Sequence, residues 1–104
     1  MNPRPKVLIV DDEPDYLAIA ARIAVKAGCA AITAPSALKG VELAEKDNPS
    51  MILLDVGLPD INGFEAARRI RRIPALSHTP IIFFTVRSEL DMVSEGLKLV
   101  AAGY

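Results

Sequence analysis

Three short runs of apolar residues, each ended by a polar side chain, constrain this sequence more than any other feature. The runs cover residues 7–10, 51–54 and 81–84, and the residues that end them are Asp11 with Asp12, Asp55 and Thr85. Apolar runs of this length between polar residues are typical of strands buried on both faces of a parallel sheet. Because ligands bind beyond the carboxyl ends of such strands, we expect these polar atoms to form the functional site.

Helical patterns alternate with the apolar runs. We predict strands at residues 6–10, 30–34, 50–54 and 80–84, and helices at 14–27, from Ser36 to about Asp47, from Phe64 to about Arg72, and from Ser88 onward. Pro14 suits a first helical position, Gly28 suits the residue after a helix, and Ser36 and Ser88 suit N-caps. Strands and helices that alternate in this way predict an α/β fold, a parallel sheet with helices on both faces.

Composition narrows the class of protein. The chain has 104 residues, which is enough for one domain and too few for two. Its net charge of −1, from 12 basic and 13 acidic residues, gives no general attraction to nucleic acid or to an anionic membrane. No segment approaches the roughly 20 apolar residues that cross a membrane, and the N-terminus does not resemble a signal peptide. We therefore expect a cytoplasmic protein.

Several residues allow two interpretations. We expect Cys29, the single cysteine, to be a small buried residue and not a reactive thiol. We expect His78, the single histidine, to lie in a solvated loop and not to bind a ligand. The arginines at 68, 69, 71 and 72 indicate a solvated helix face around a buried Ile70, and the alternative is a patch that binds phosphate or nucleic acid. Leu58 is either a loop residue without a special role or a protruding contact for a partner.

The acidic residues suggest a metal site. If the first and third strands are neighbours, Asp11, Asp12 and Asp55 converge, and their charges repel one another unless a cation joins them. A hard dication with oxygen ligands, Mg²⁺ above all, suits such a cluster. One of the carboxylates can then attack a phosphoryl group and form an acyl phosphate, to which the Thr85 hydroxyl can donate a hydrogen bond. The alternative is that Asp11 and Asp12 only cap the first helix.

Three segments together carry a resemblance to a known family. They are VLIVDDEP at 7–14, LLDVGLPDINGFE at 53–65 and PIIFFT at 80–85. In these segments the chain resembles the receiver domain of two-component response regulators. The resemblance implies that Asp55 is the phosphoryl acceptor. It implies that Mg²⁺ is held by Asp11, Asp12 and Asp55 with the backbone carbonyl of Gly57, and that Thr85 is the switch residue.

The same resemblance implies a flavodoxin-like, doubly wound parallel sheet with strand order 2-1-3-4-5. It implies a signalling module and not an enzyme, with a histidine kinase or phosphotransfer protein as donor and an unknown output partner. The family continues into a fifth strand, which carries a lysine, and a fifth helix that this sequence does not contain. Lys6 and Lys98 do not occupy the place of that lysine, and Val86 stands where a smaller residue is usual. We therefore expect residues 1–104 to form a C-terminally incomplete receiver domain.

The sequence allows one alternative function and disfavours two others. A degenerate or truncated receiver could act as a phosphorylation-independent interaction module, and an exposed fourth strand would favour a homodimer or a strand swap. A hydrolase that works through an aspartyl phosphate would need a second acid two residues after the nucleophile, where this chain has Gly57. A flavodoxin is disfavoured because Asp11, Asp12 and Glu13 would repel a phosphate group after the first strand.

Overall fold

Strands and helices alternate along residues 4–84, which are the residues that the structure, a computed structural model, describes. The strands are β1 (Lys6–Val10), β2 (Ala30–Ala34), β3 (Met51–Asp55) and β4 (Ile81–Phe84), and the helices are α1 (Pro14–Lys26), α2 (Ala37–Asp47) and α3 (Gly63–Arg71). A short 3₁₀ turn, Pro74–Leu76, lies between α3 and β4. These elements confirm the predicted ones to within about one residue at each end. The helix predicted from Ser88 lies outside the described residues.

The four strands form one parallel sheet in the order β2-β1-β3-β4. In β1, Val10 pairs with Ala34 of β2 on one side and with Leu54 of β3 on the other. On the far side of β3, Asp55 is in register with Phe84 of β4. This order confirms the first four places of the predicted topology, and it makes the carboxyl ends of β1 and β3 neighbours.

Alternate residues of β1 enter two different core layers. Leu8 and Val10 are fully buried among side chains of α2 and α3, whereas Val7 and Ile9 are buried with Ala24 of α1. Successive side chains of a strand point to opposite faces of the sheet, so this division follows directly from strand geometry. The helices therefore cover both faces of the sheet, as predicted.

The ends of the helices follow the predicted residues. Pro14 is the first residue of α1, and Gly28, just after its end, has a φ of +89° that side-chain-bearing residues rarely adopt. The Ser36 side chain accepts a hydrogen bond from the Lys39 N–H at 3.2 Å, which caps α2. Asn48 ends α2 in the left-handed conformation with a φ of 48°.

The arginine-rich end of α3 is only partly a solvated face. Ile70 is fully buried, as predicted. Arg68 and Arg69 are exposed and form ion pairs with Glu65 on the same helix. Arg71 departs from the prediction because it is half-buried, and its guanidinium donates hydrogen bonds to the carbonyl groups of residues 76 and 79. This arginine holds the connection that leads into β4.

Two further predictions meet different outcomes. His78 is exposed, as expected for a loop residue. Cys29 was expected to be buried and is only half-buried, because it lies just before β2 at the margin of the α1 core layer. Within residues 4–84, no helix is long and apolar enough to cross a membrane.

Candidate functional site

Three aspartates meet at the carboxyl edge of the sheet. Asp11 and Asp12 follow β1, and Asp55 is the last residue of the neighbouring strand β3. When one carboxylate oxygen is taken from each of the three residues, these three oxygens lie within 4.8 Å of one another. The structure thus confirms that these residues converge.

The three carboxylates differ in their exposure. Asp11 is 2% exposed and Asp55 is 8% exposed, whereas Asp12 is open to solvent. Burial raises the pKa of Asp11; the hydrogen bond from the Glu13 N–H lowers it, and the charges of Asp55 and Asp12 raise it further. A buried carboxylate next to two others is held in its charged form at a cost in free energy, which a bound cation would remove.

Asp11 also contacts the start of α1. Its Oδ1 accepts a hydrogen bond from the Glu13 N–H at 2.9 Å, and Glu13 is the N-cap residue of α1. This bond is to the residue before the helix, and the N-cap residue makes no side-chain bond to α1, so the structure supports the cluster interpretation of Asp11 and not the capping one. Asp12 is the exposed member of the cluster.

The loop after β3 is folded back against the strand end. The Gly57 N–H donates a hydrogen bond to Oδ1 of Asp55 at 3.1 Å, so the peptide at residue 57 lies beside the acid. The Val56 N–H donates to the carbonyl oxygen of Phe84 at 3.0 Å, and the Gly63 N–H donates to the carbonyl oxygen of Val56 at 3.1 Å. These bonds fix the backbone that follows Asp55.

Gly63 has a role that the sequence analysis did not find. It is the first residue of α3, and a Cβ atom placed there would overlap the carbonyl oxygen of Asp55 and lie 2.8 Å from the Cα of Val56. Only a residue without a side chain allows α3 to approach the end of β3 so closely. Gly63 lies just before the predicted helix, so its place in the sequence did not signal this contact.

Two other loop residues also differ from expectation. Leu58 is only 8% exposed and belongs to the core beneath α2 and α3, so the suggestion that it protrudes as a partner contact is wrong. An apolar side chain of this size is more stable in that core than in water. Asp60, which the sequence did not single out, accepts hydrogen bonds from the backbone of α2.

A groove of about 440 Å³ extends from the acids along α1. Its apolar walls come from Tyr16, Ile19, Ile23 and Phe84. Phe83, by contrast, packs in the opposite layer, where its ring centre lies 4.7 Å from that of Phe64. Phe83 and Phe84 therefore face opposite layers of helices, as successive residues of a strand do.

Thr85 lies outside the described residues. It directly follows Phe84, which is in register with Asp55. The predicted switch role of Thr85 therefore stays a prediction that depends on this proximity along the chain.

A family model for the response regulator receiver domain matches residues 7–104. The chain belongs to this family of two-component signalling domains. Its sheet order and helix placement are those of the flavodoxin-like fold of chemotaxis receivers. Receiver domains are in general signalling modules and not enzymes.

Individual relatives agree with this assignment. The chain is 38% identical to the transcriptional regulatory protein AfsQ1 of Streptomyces coelicolor over 101 residues, which are 96% of this chain and 43% of that protein. It is 30% identical to sporulation initiation phosphotransferase F of Bacillus subtilis over 92% of this chain and 76% of that protein. The structure of the chemotaxis protein CheY4 of Vibrio cholerae matches with a TM-score of 0.84 at 27% identity, over 92% of this chain and 80% of that one.

Proposed function

We propose that this chain accepts a phosphoryl group on Asp55 from a histidine kinase or a phosphotransfer protein. The observation that carries the proposal is the convergence of Asp11, Asp12 and Asp55 at the edge where parallel sheets bind ligands. Membership of the receiver family supports it. Similarity to a sporulation phosphotransferase and to the autoinducer sensor kinase/phosphatase LuxN of Vibrio harveyi also supports the proposal.

Asp55 acts as the nucleophile in this proposal. One of its carboxylate oxygens attacks the phosphorus atom, and a new O–P bond forms as the P–N bond of a phosphohistidine or the P–O bond of acetyl phosphate breaks. The electron pair of the broken bond leaves with the donor. The hydrogen bond from the Gly57 N–H to Oδ1 fixes the rotation of the carboxylate, which favours in-line attack.

The donor set also suits a divalent cation. Asp11, Asp12 and Asp55, together with the backbone carbonyl of Gly57, would hold Mg²⁺, which prefers oxygen ligands and retains several waters. When bound, Mg²⁺ supplies positive charge that neutralises the three acids and the phosphoryl oxygens. The exposed carboxylate of Asp12 gives the site an open side toward solvent.

Thr85 is the proposed switch. Its hydroxyl would donate a hydrogen bond to a phosphoryl oxygen on Asp55, and the chain that follows would change its packing. The position of Thr85, one residue beyond the partner of Asp55 in the sheet register, supports this role.

Intact mass spectrometry tests the proposal. The chain is incubated with acetyl phosphate and Mg²⁺, and we expect the mass to increase by one phosphoryl group. Asp55→Asn should show no gain, whereas Asp15→Asn, which changes an exposed acid of α1 outside the cluster, should gain as the unmodified chain does. Labelling that persists in Asp55→Asn would contradict the assignment of the acceptor.

A second candidate function is association through β4. Within residues 4–84, β4 pairs only with β3, and Ile82 is 50% exposed. Because the outer edge of a sheet can pair with another chain, the alternative that we propose is a module that binds a second copy of itself without a phosphoryl switch. Light scattering over a concentration series tests it. This function is supported if the chain forms a dimer that Ile82→Lys weakens and that Ile19→Lys, on α1, leaves unchanged. A monomer at every concentration would exclude it.

A further inference from the structure

The N-terminus of α2 is capped from two places in the chain. Ser36, the residue before the helix, accepts the Lys39 N–H at 3.2 Å. The preceding N–H groups, of Ala37 and Leu38, donate to Asp60 at 3.1 and 2.8 Å, one to each carboxylate oxygen. The first N–H groups of a helix have no partner within the helix, so these bonds satisfy donors that would otherwise need water. A carboxylate at this end also interacts favourably with the helix dipole.

Asp60 belongs to the loop that carries the acceptor site. The loop leaves β3 after Asp55 and enters α3 at Gly63. At its start, Gly57 donates to Asp55; at its end, the Asn62 side chain accepts the Phe64 N–H at 2.7 Å. The residues between these two bonds are anchored by the buried Leu58 and by Asp60.

The bonds of Asp60 connect two elements that are distant in sequence. Asp60 lies 23 residues from Ala37 and 22 residues from Leu38. Because α2 is itself held against β1, where Gly40 packs on the side chain of Val10, the loop is attached to a fixed part of the fold. An exposed loop segment with such an attachment has fewer conformations than one without it.

We propose that Asp60 is a positioning residue for the acceptor site, because its two bonds to α2 hold the loop so that the Gly57 peptide stays beside Asp55. This inference rests on the proposed phosphoryl-acceptor function. Asp60 does not touch the reacting atoms. Its removal should let the Gly57 peptide move away from the carboxylate, which would weaken both Mg²⁺ binding and phosphorylation.

The charge state of Asp60 agrees with this role. Reduced contact with solvent raises its pKa, but hydrogen bonds from backbone N–H groups, with those of Leu38 and Ala37 the largest, together outweigh that effect, and the net shift is downward. Asp60 is therefore ionised at neutral pH, and both oxygens accept. An asparagine has one accepting oxygen and would retain one of the two bonds, so Asp60→Asn provides an intermediate change between the original residue and Asp60→Ala.

Ser36→Ala is the matched control for the experiment. It removes a cap from the same helix end without touching the loop, so it lowers stability through α2 alone. Asp60→Ala, Asp60→Asn and Ser36→Ala are made in the full chain, and all are studied at a temperature where each is folded. The Mg²⁺ dissociation constant is measured by calorimetry, and the rate of phosphorylation by acetyl phosphate is measured by mass spectrometry.

We expect Asp60→Ala to weaken Mg²⁺ binding by about 10-fold, the lower end of the effect of removing an outer-shell partner of a metal site. Phosphorylation should slow in parallel. Asp60→Asn should give values between those of Asp60→Ala and the unmodified chain, and Ser36→Ala should match the unmodified chain in both measurements. If Asp60→Ala and Ser36→Ala lower the melting temperature and leave Mg²⁺ binding and the rate unchanged, Asp60 is only a helix cap and the inference is wrong.

Hydrogen exchange separates this inference from the proposed function. The amides of residues 56–61 should exchange faster in Asp60→Ala than in Ser36→Ala, whether or not the chain binds Mg²⁺. If the unmodified chain is neither phosphorylated nor able to bind Mg²⁺, the proposed function fails, while exchange still shows whether Asp60 orders the loop. Equal exchange at 56–61 in the two variants would overturn the inference by itself.

Discussion

The backbone carbonyl of Asp55 lies so close to the Cα of Gly63 that a side chain at residue 63 would overlap it. The end of β3 and the start of α3 are therefore in direct backbone contact. Because close-packed interiors do not deform easily, a change at the start of α3 should move the carboxylate of Asp55.

Gly63→Ala should destabilise the fold and impair phosphorylation. The added methyl group forces backbone to shift, and such overpacking costs about 1–3 kcal/mol. Gly28→Ala is the control. It strains a left-handed backbone position just after the C-terminal end of α1, and nothing lies within 4 Å of the new Cβ. Urea unfolding gives the stability, and mass spectrometry gives the phosphorylation rate. Equal rates for the two variants under conditions where both are folded would contradict the link between Gly63 and Asp55.

Asp12→Ala should weaken Mg²⁺ binding without destabilising the metal-free fold. Asp12 is exposed, and its removal relieves repulsion with Asp11 and Asp55. We expect the affinity to fall at least about 10-fold, since even outer-shell partners have effects of this size, and the free energy of unfolding without metal to change by no more than about 0.5 kcal/mol. Calorimetric titration measures the Mg²⁺ affinity, and urea unfolding measures the free energy of unfolding. Asp15→Ala, the control, should leave the affinity unchanged, and an equal loss there would count against a specific role for Asp12.

Asp11 should make the metal-free fold more stable as pH falls. Its pKa is raised in the folded state, chiefly by burial, so the folded chain takes up a proton at higher pH than the unfolded chain does. The stabilisation is fully present below the ordinary pKa of an aspartate and is lost as pH rises through the raised value. Thermal melts over pH in the presence of a chelator, compared with Asp11→Asn, measure this contribution. Identical pH dependence in the two proteins would contradict it.

Mg²⁺ should stabilise the fold most near neutral pH, which is opposite to the gain in stability at low pH expected from Asp11. Binding requires the ionised carboxylates, so the rise in melting temperature that Mg²⁺ produces should be largest near neutral pH and should shrink as pH falls. Melts with and without Mg²⁺ at each pH test this. A constant difference across the range would argue against ligation by the acids.

Thr85→Ala should leave phosphorylation intact and reduce the conformational response. The proposed acceptor and metal-binding residues are unchanged, but the phosphoryl group would lose the hydroxyl donor that we propose for Thr85. Hydrogen exchange before and after phosphorylation measures the response, and Thr85→Ser, which keeps the hydroxyl, should respond almost as the unmodified chain does. A full response in Thr85→Ala would remove this residue from the switch.

The sequence predicted the elements of residues 4–84 and placed the three clustered aspartates at strand ends. Apolar runs, Pro14, Gly28 and Ser36 are local signals, and local signals determine where strands and helices begin and end. The three aspartates could be assigned to strand ends for the same reason. Their convergence additionally required that β1 and β3 be neighbours, which the receiver resemblance supplied and the sheet order confirms.

The tertiary structure decided how the loop between β3 and α3 is held. The segment between the predicted third strand and third helix was expected to be a loop, but nothing in the local pattern shows that Leu58 is buried, that Gly63 lies against the backbone of Asp55, or that Asp60 binds α2. Each of these relationships depends on the packing of separate elements, and for Asp60 the partners are more than 20 residues away along the chain. Periodicity and capping preferences describe neighbours in sequence, so contacts of this kind appear only when the elements are packed together.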